Sequence, residues 1–107
     1  MMFGLFQNRF ASQDDAAMRT AMQKGAFLVD VRTASEFAAG SVNGAVNIPL
    51  DRIPMELDKF KNKGAVVVFC RSGSRSSQAK AFLDRSGIPN VWNGGTWQDV
   101  KAMLKTL

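Results

Sequence analysis

The chain has no histidine and a single cysteine, Cys70, among its 107 residues. Without histidine there is no Ser-His or Cys-His nucleophile pair and no imidazole general base. One cysteine allows no internal disulfide, and without histidine it cannot complete the usual structural zinc cage. We therefore expect no metal and no other cofactor. Any chemistry has to use Cys70, carboxylates, basic residues, hydroxyls or backbone amides.

Long apolar runs are also absent, and none approaches the roughly 20 residues that a membrane-spanning helix needs. The first six residues are apolar, but no basic residue precedes them and no small-residue cleavage site follows them. They therefore do not resemble a signal peptide. We expect a cytoplasmic protein, or a periplasmic one if a leader was removed before residue 1. Phe3, Leu5 and Phe6 are candidates to dock on the domain or on a partner.

The formal net charge is +5, and a basic surface can favour nucleic acid, anionic lipid or small anions. The basic residues are scattered, with no block of five or more like charges and no aromatic residues interleaved for base stacking. We expect no nucleic-acid partner. The length suits one domain over 1–107. Residues 1–12 are expected to form a short N-terminal extension, which can include the first strand.

Short apolar runs alternate with helical patterns along the chain. The predicted strands are 26–31, 45–48, 65–69 and 91–92, and the predicted helices are 14–24, 35–39, 55–60, 76–84 and a last one that Thr96 caps. The run 65–69 is apolar at every position, as in a parallel strand covered on both faces. This alternation predicts an α/β fold on a mainly parallel sheet, with ligands beyond the C-terminal strand ends.

Cys70 directly follows that apolar run, and a short polar loop leads from it into the next helix. A strand, a tight loop and a helix N-terminus bring backbone N–H groups around one point, which favours an anion or a thiolate. Gly73 lets the loop curl, and Arg71 and Arg75 add positive charge that lowers a cysteine pKa. On this pattern alone, Cys70 can equally be an inert buried cysteine beside solvated arginines.

The string from Cys70 to Ser76 resembles the active-site loop of single-domain rhodaneses, the thiosulfate sulfurtransferase family. Three further segments resemble signatures of the same family and follow in its order: 28–37, 40–49 and 86–95. The resemblance therefore covers nearly the whole chain and surrounds a cysteine at a strand end.

The resemblance implies a rhodanese-like domain with a central, mainly parallel five-stranded sheet flanked by helices. It also implies that the catalytic residue Cys70 takes a sulfur atom from thiosulfate or a related small anion and passes it, as a persulfide, to cyanide or a thiol. The residues of the active-site loop would hold the persulfide and the donor: Arg71, Ser72, Gly73, Ser74, Arg75 and Ser76.

Two other functions remain open. The first is a rhodanese-like sulfur-carrier or interaction module that receives its sulfur from a partner protein in a sulfur relay. The second is a phosphatase or arsenate reductase, whose loops in this family resemble Cys-x5-Arg and are one residue longer. Arg75 is the fifth residue after Cys70 and Ser76 the sixth, so the shorter loop favours sulfur transfer.

Asp30 and Arg32 are predicted to support the site from the end of a neighbouring strand. Their expected roles are structural, with Asp30 bonding loop amides and Arg32 pairing with Glu36 across one helical turn. The sequence departs from the family at two positions. Ser41 stands where many members carry histidine, and Trp97 lies nearer the double glycine than the usual tryptophan.

Overall fold

The structure is a computed structural model that describes residues 13–107, with side chains from residue 15 onward. The predicted extension 1–12 lies outside the described residues, and so do Phe3, Leu5 and Phe6. In chain order the elements are α1 (Gln13–Gln23), β1 (Phe27–Asp30), α2 (Ala34–Ala39), β2 (Val46–Asn47), a 3₁₀ segment (Leu50–Phe60), β3 (Val66–Cys70), α3 (Ser74–Arg85), β4 (Val91–Thr96) and α4 (Trp97–Lys105).

The strands form one parallel sheet in the order β2-β1-β3-β4. This arrangement confirms the predicted α/β class with a parallel sheet. Within residues 13–107 the sheet has four strands rather than five. Along the same residues, no helix combines the length and the apolar composition that a membrane crossing needs.

Strand β3 lies inside the sheet, between β1 and β4, and each of its five residues is buried. Side chains alternate between the two faces of a strand, so β3 contributes to two separate cores. Val66, Val68 and Cys70 belong to the core beneath α3 and the 3₁₀ segment. Val67 and Phe69 belong to the core beneath α1 and α4. The Cys70 side chain therefore lies on the face that α3 covers.

The predicted helix 55–60 is instead a 3₁₀ segment that begins at Leu50, directly after Pro49. Pro54 lies inside this segment and has no N–H to donate, which disfavours a continuous α-helical ladder. Glu56 departs from helical backbone angles and divides the segment into two pieces. The segment packs Ile53 and Phe60 into the core under α3.

Strand β4 is longer than the predicted 91–92 and continues through the double glycine to Thr96. Its register against β3 shifts by one residue, because Val68 lies opposite Asn93 while Phe69 lies opposite Gly95. Gly94 is the extra residue of this bulge. A Cβ atom there would lie 2.6 Å from Val100 Cγ2, so the missing side chain allows β4 to approach α4 closely.

Candidate active site

Cys70 is the last residue of β3, at the carboxyl end of the sheet. The connection to α3 is short, because Gly73 is already the N-cap and the helix begins at Ser74, two residues before the predicted start. Gly73 adopts a left-handed conformation with φ of 95°, which a residue with a side chain adopts only with strain. This turn directs the first amides of the loop and helix back toward the strand end.

The Cys70 sulfur lies at the focus of those amides. The Gly73 N–H donates to Sγ over 3.0 Å, and the Ser76 N–H donates to it over 3.4 Å. The Ser76 hydroxyl oxygen lies 3.4 Å from the same sulfur. Cys70 and Ser76 are both fully buried, so these contacts are shielded from water. Several donors around one sulfur favour its ionised form.

Two opposing influences act on the pKa of the Cys70 thiol. Burial raises the pKa, because a buried thiolate loses its hydration. Hydrogen bonds from the Ser76 hydroxyl and from the backbone amides of Ser76, Ser72 and Gly73 lower it. The hydrogen bonds prevail, so the pKa of Cys70 lies below the ordinary value of a cysteine.

The cations of the loop have different surroundings. Arg71 is exposed, as are Ser72 and Ser74. Arg75 forms a two-point ion pair with Glu36, joining Nη1 to Oε1 over 2.8 Å and Nη2 to Oε2 over 3.0 Å. Hydrogen bonds from the Arg75 side chain and the Thr33 backbone lower the pKa of Glu36 to about 2. The hydrogen bond to Glu36 in turn raises the pKa of Arg75.

Glu36 is itself held in place by the first turn of α2. The Glu36 N–H donates to Thr33 Oγ1, and the Thr33 N–H donates back to Glu36 Oε1, which completes a capping box. The carboxylate that meets Arg75 is therefore fixed by its own helix. Sequence reasoning missed this capping box, although the Thr-x-x-Glu spacing is its usual signal.

Asp30 and Arg32 form a buried ion pair with each other, so the predicted pairing of Arg32 with Glu36 is wrong. Arg32 Nη2 lies 2.6 Å from Asp30 Oδ2, and the two side chains are 6% and 0% exposed. Arg32 precedes the Thr33 N-cap and is not part of α2. The one-turn spacing from which the Glu36 pairing was predicted applies only within a helix.

The same ion pair ties several segments to the end of β1. The Arg32 backbone N–H donates to Asp30 Oδ1, and Arg32 Nη2 also donates to the Gly40 carbonyl. Ser41 Oγ donates to Asp30 Oδ2 over 2.7 Å, so this residue supports the buried carboxylate. The Arg32 guanidinium lies 5.2 Å from the centre of the Trp97 ring, at the start of α4.

Asn93 is a part of the site that sequence reasoning missed. Its Oδ1 accepts a hydrogen bond of 2.7 Å from the Ser76 hydroxyl and one of 2.9 Å from the Gly95 N–H. Its Nδ2 lies 3.4 Å from the Gly73 carbonyl. The β4 bulge sets the spacing between Asn93 and Gly95. No local pattern in the sequence indicates that this strand residue meets Ser76, 17 positions earlier in the first turn of α3.

Comparison with known proteins agrees with this architecture. A family model described as a rhodanese-like domain matches residues 14–100. A sulfurtransferase of Allochromatium vinosum is 36% identical over 80 residues, covering 75% of each chain. The thiosulfate sulfurtransferase PspE of Escherichia coli is 34% identical over 74 residues, covering 67% of this chain and 71% of its own.

Among solved structures, a rhodanese with anions from Escherichia coli superposes with a TM-score of 0.65 and 31% sequence identity. The match covers 70% of this chain and 91% of that one. The same assignment follows from the matched family model, from the named relatives and from the parallel sheet, whose strand β3 ends at Cys70. The chain therefore belongs to the family of rhodanese-like domains.

Proposed function

We propose that this protein transfers a sulfur atom from thiosulfate, or from a related small anionic donor, to cyanide or a thiol by way of a Cys70 persulfide. The observation that carries the proposal is the set of donors around one buried sulfur, with the Gly73 N–H at 3.0 Å and the Ser76 N–H at 3.4 Å. These groups stabilise negative charge on sulfur before and after the transfer. The names of the related sulfurtransferases support the same chemistry.

In the first step the Cys70 thiolate attacks the outer sulfur of thiosulfate. A bond forms between Sγ and that sulfur, the sulfur–sulfur bond of thiosulfate breaks, and sulfite leaves with the electron pair. The total charge is unchanged, because one thiolate and one dianion become one persulfide anion and one dianion. No proton, metal or external oxidant is needed, which suits a chain that has no histidine.

In the second step cyanide or a thiolate attacks the outer sulfur of the persulfide. The new bond forms on that sulfur, the bond to Sγ breaks, and Cys70 returns as a thiolate with thiocyanate or a new persulfide as the product. A disulfide-type bond is about 2.05 Å long, so the reacting atom lies farther out than the buried thiol. Because Cys70 itself has no exposed surface, the exposed side chains of Arg71 and Ser72 have to move when the donor enters, while the Gly73 and Ser76 amides stay at the sulfur.

Arg71 and Arg75 have different roles in the transfer. Arg71 is exposed and attracts the anionic donor by its charge. The Arg75 guanidinium faces Glu36, and its role is to hold the loop in place. A phosphatase of this family would need an arginine to bind the phosphate group, and the engagement of Arg75 by Glu36 supports sulfur transfer instead.

Formation of thiocyanate from thiosulfate and cyanide tests the proposal. The expected result is turnover by the wild type, none above the uncatalysed rate for Cys70→Ser, and near wild-type turnover for the control Ser77→Ala, an exposed serine of α3. Residual turnover in a folded Cys70→Ser variant would contradict the mechanism. An inactive wild type that accepts sulfur only from a partner protein's persulfide would identify the sulfur-carrier module instead.

A further inference from the structure

The Ser76 hydroxyl is surrounded by more hydrogen-bond acceptors than it has protons. Its oxygen lies 2.7 Å from Asn93 Oδ1, 3.1 Å from the Gly73 carbonyl oxygen and 3.4 Å from Cys70 Sγ. A serine hydroxyl carries one proton, so it donates to one of these atoms at a time. The distance to Asn93 is that of a well-formed O–H···O bond, and the other two are longer.

The oxygen of the Asn93 amide, and not its nitrogen, faces Ser76. Oδ1 accepts from the Gly95 N–H over 2.9 Å, and Nδ2 faces the Gly73 carbonyl at 3.4 Å. A flipped amide would set its NH₂ group against the Gly95 N–H and its oxygen against the Gly73 carbonyl. Both contacts would then be repulsive, so two backbone groups fix the orientation of Asn93.

The two protonation states of Cys70 require two orientations of this one hydroxyl. When the thiol is neutral, its S–H can donate to Ser76 Oγ while the Ser76 proton points at Asn93 Oδ1. When the thiol is ionised, sulfur has no proton and accepts only. The Ser76 proton then has to leave Asn93 in order to reach Sγ. Asn93 and the thiolate therefore compete for the same donor.

We propose that Asn93 is a positioning residue that lowers the ionised fraction of Cys70 by competing with the thiolate for the Ser76 hydroxyl proton. The amide stabilises the neutral thiol and withholds one donor from the ionised form. In this role Asn93 touches neither the Cys70 sulfur nor the sulfur-donating substrate, and it acts through Ser76. The consequence for turnover rests on the proposed function of Cys70, since the thiolate is the form that attacks the donor.

Charged groups on the elements packed around β3 and α3 are already paired or stay constant in the variants that test this. They are Arg71 of the loop, Arg75 of α3, Asp30 at the end of β1, Arg32 just after it, Glu36 of α2, Asp99 of α4, Asp15 of α1, and Arg52 with Glu56 on the 3₁₀ segment. Asp30 pairs with Arg32, Glu36 with Arg75, and Glu56 with Arg52. Replacing Asn93 by alanine changes none of these charges.

The pH dependence of alkylation by iodoacetamide measures the thiolate directly, since Cys70 is the only cysteine. The Asn93→Ala substitution is expected to lower the midpoint by about 0.5 pH unit, which gives about threefold faster alkylation below the midpoint. Asn93→Asp is expected to raise the midpoint, because a carboxylate holds the Ser76 proton more strongly and repels the thiolate. Asn43→Ala, a change of another exposed asparagine, is the control and leaves the midpoint unchanged.

The coupling through Ser76 separates this role from a merely structural one. Ser76→Ala is expected to raise the midpoint, and in that background Asn93→Ala is expected to have little further effect. A role of Asn93 in merely holding Ser76 against sulfur predicts the opposite sign, a midpoint that rises in Asn93→Ala. That result, an unchanged midpoint, or a shift that persists in full without the Ser76 hydroxyl would overturn the proposal.

If circular dichroism shows that Asn93→Ala does not fold, the alkylation midpoint of the nearly isosteric Asn93→Asp variant tests the proposal. A midpoint that stays the same or falls in Asn93→Asp would also overturn the proposal. Iodoacetamide reports the thiolate whether or not thiosulfate is a substrate. A protein that fails to form thiocyanate therefore counts against the proposed function alone, and the alkylation midpoints still test Asn93.

Discussion

Glu36 and Arg75 join helix α2 to the loop that surrounds Cys70, although the two residues are 39 positions apart in the chain. Each terminal nitrogen of the guanidinium donates to one carboxylate oxygen, at 2.8 and 3.0 Å. Such two-point pairs restrict geometry more than a single contact does. Because Ser76 follows Arg75 directly, this ion pair also restricts the residue that donates to the Cys70 sulfur.

The ion pair has a defined pH dependence. Because the pKa of Glu36 is lowered from 4.5 to about 2 in the folded protein, folding favours the ionised carboxylate. The stabilisation is therefore complete above pH 4.5 and is lost as the pH falls toward 2. We expect the difference in Tm between the wild type and Glu36→Gln to be constant at neutral pH and to shrink over that range. Thermal unfolding followed by circular dichroism measures this difference.

Asp84→Asn is the matched control, since it breaks the more exposed one-turn pair of Asp84 with Lys80 on α3. We expect it to change the Tm at neutral pH less than Glu36→Gln does. A Glu36→Gln difference that grows on acidification would reverse the assigned sign and contradict the ion pair.

Arg71 and Arg75 are expected to differ in steady-state kinetics. Arg71→Ala removes an exposed charge from the proposed route of the donor, so KM for thiosulfate should rise about 3- to 10-fold with little change in Tm. The rise should shrink at high ionic strength, because salt screens exposed charges. Arg75→Ala should instead lower the Tm and kcat, since it releases the loop from α2. Equal effects of the two substitutions on KM, with no change in Tm, would show that both arginines bind the donor.

Asp30→Asn is expected to be strongly destabilising. The substitution leaves the buried Arg32 guanidinium without its counter-charge, and breaking one side of a buried pair costs about 3 to 5 kcal/mol. Ser41→Ala removes one hydrogen bond to the same carboxylate and should cost about 1 to 3 kcal/mol. Urea denaturation gives both values. If Asp30→Asn costs no more than Ser41→Ala, the ion pair is not what stabilises this corner.

The sequence was enough to predict the fold class and the position of Cys70, because both depend on local patterns. An unbroken apolar run predicted β3, and the loop after it carries a recognisable string of residues. The partners of the charged side chains were not predictable in this way. Arg32 was assigned to Glu36 by helical spacing, but it lies before the N-cap and turns to Asp30. Asn93 reaches the site only through the bulge of β4 and the packing of α3, which no short segment encodes.

Gly94→Ala tests the close approach of β4 to α4. The new Cβ would lie 2.6 Å from Val100 Cγ2 and 3.0 Å from Val67 Cγ1, so the neighbouring side chains or the backbone have to move. Overpacking of this kind costs about 1 to 3 kcal/mol. Combining Gly94→Ala with Val100→Ala should cost less than the sum of the two single changes, because the second creates room for the first. If the losses of unfolding free energy measured by urea denaturation are strictly additive, the bulge accommodates the new methyl group without any movement of Val100.

The intact mass of the purified protein tests most directly whether Cys70 carries sulfur. After incubation with thiosulfate, we expect a gain of about 32 Da that is absent in Cys70→Ser and lost on adding cyanide or a thiol. Recovery of the starting mass together with thiocyanate would complete the cycle. A wild-type protein whose mass is unchanged by thiosulfate, under conditions in which iodoacetamide still modifies Cys70, would contradict the thiosulfate reaction.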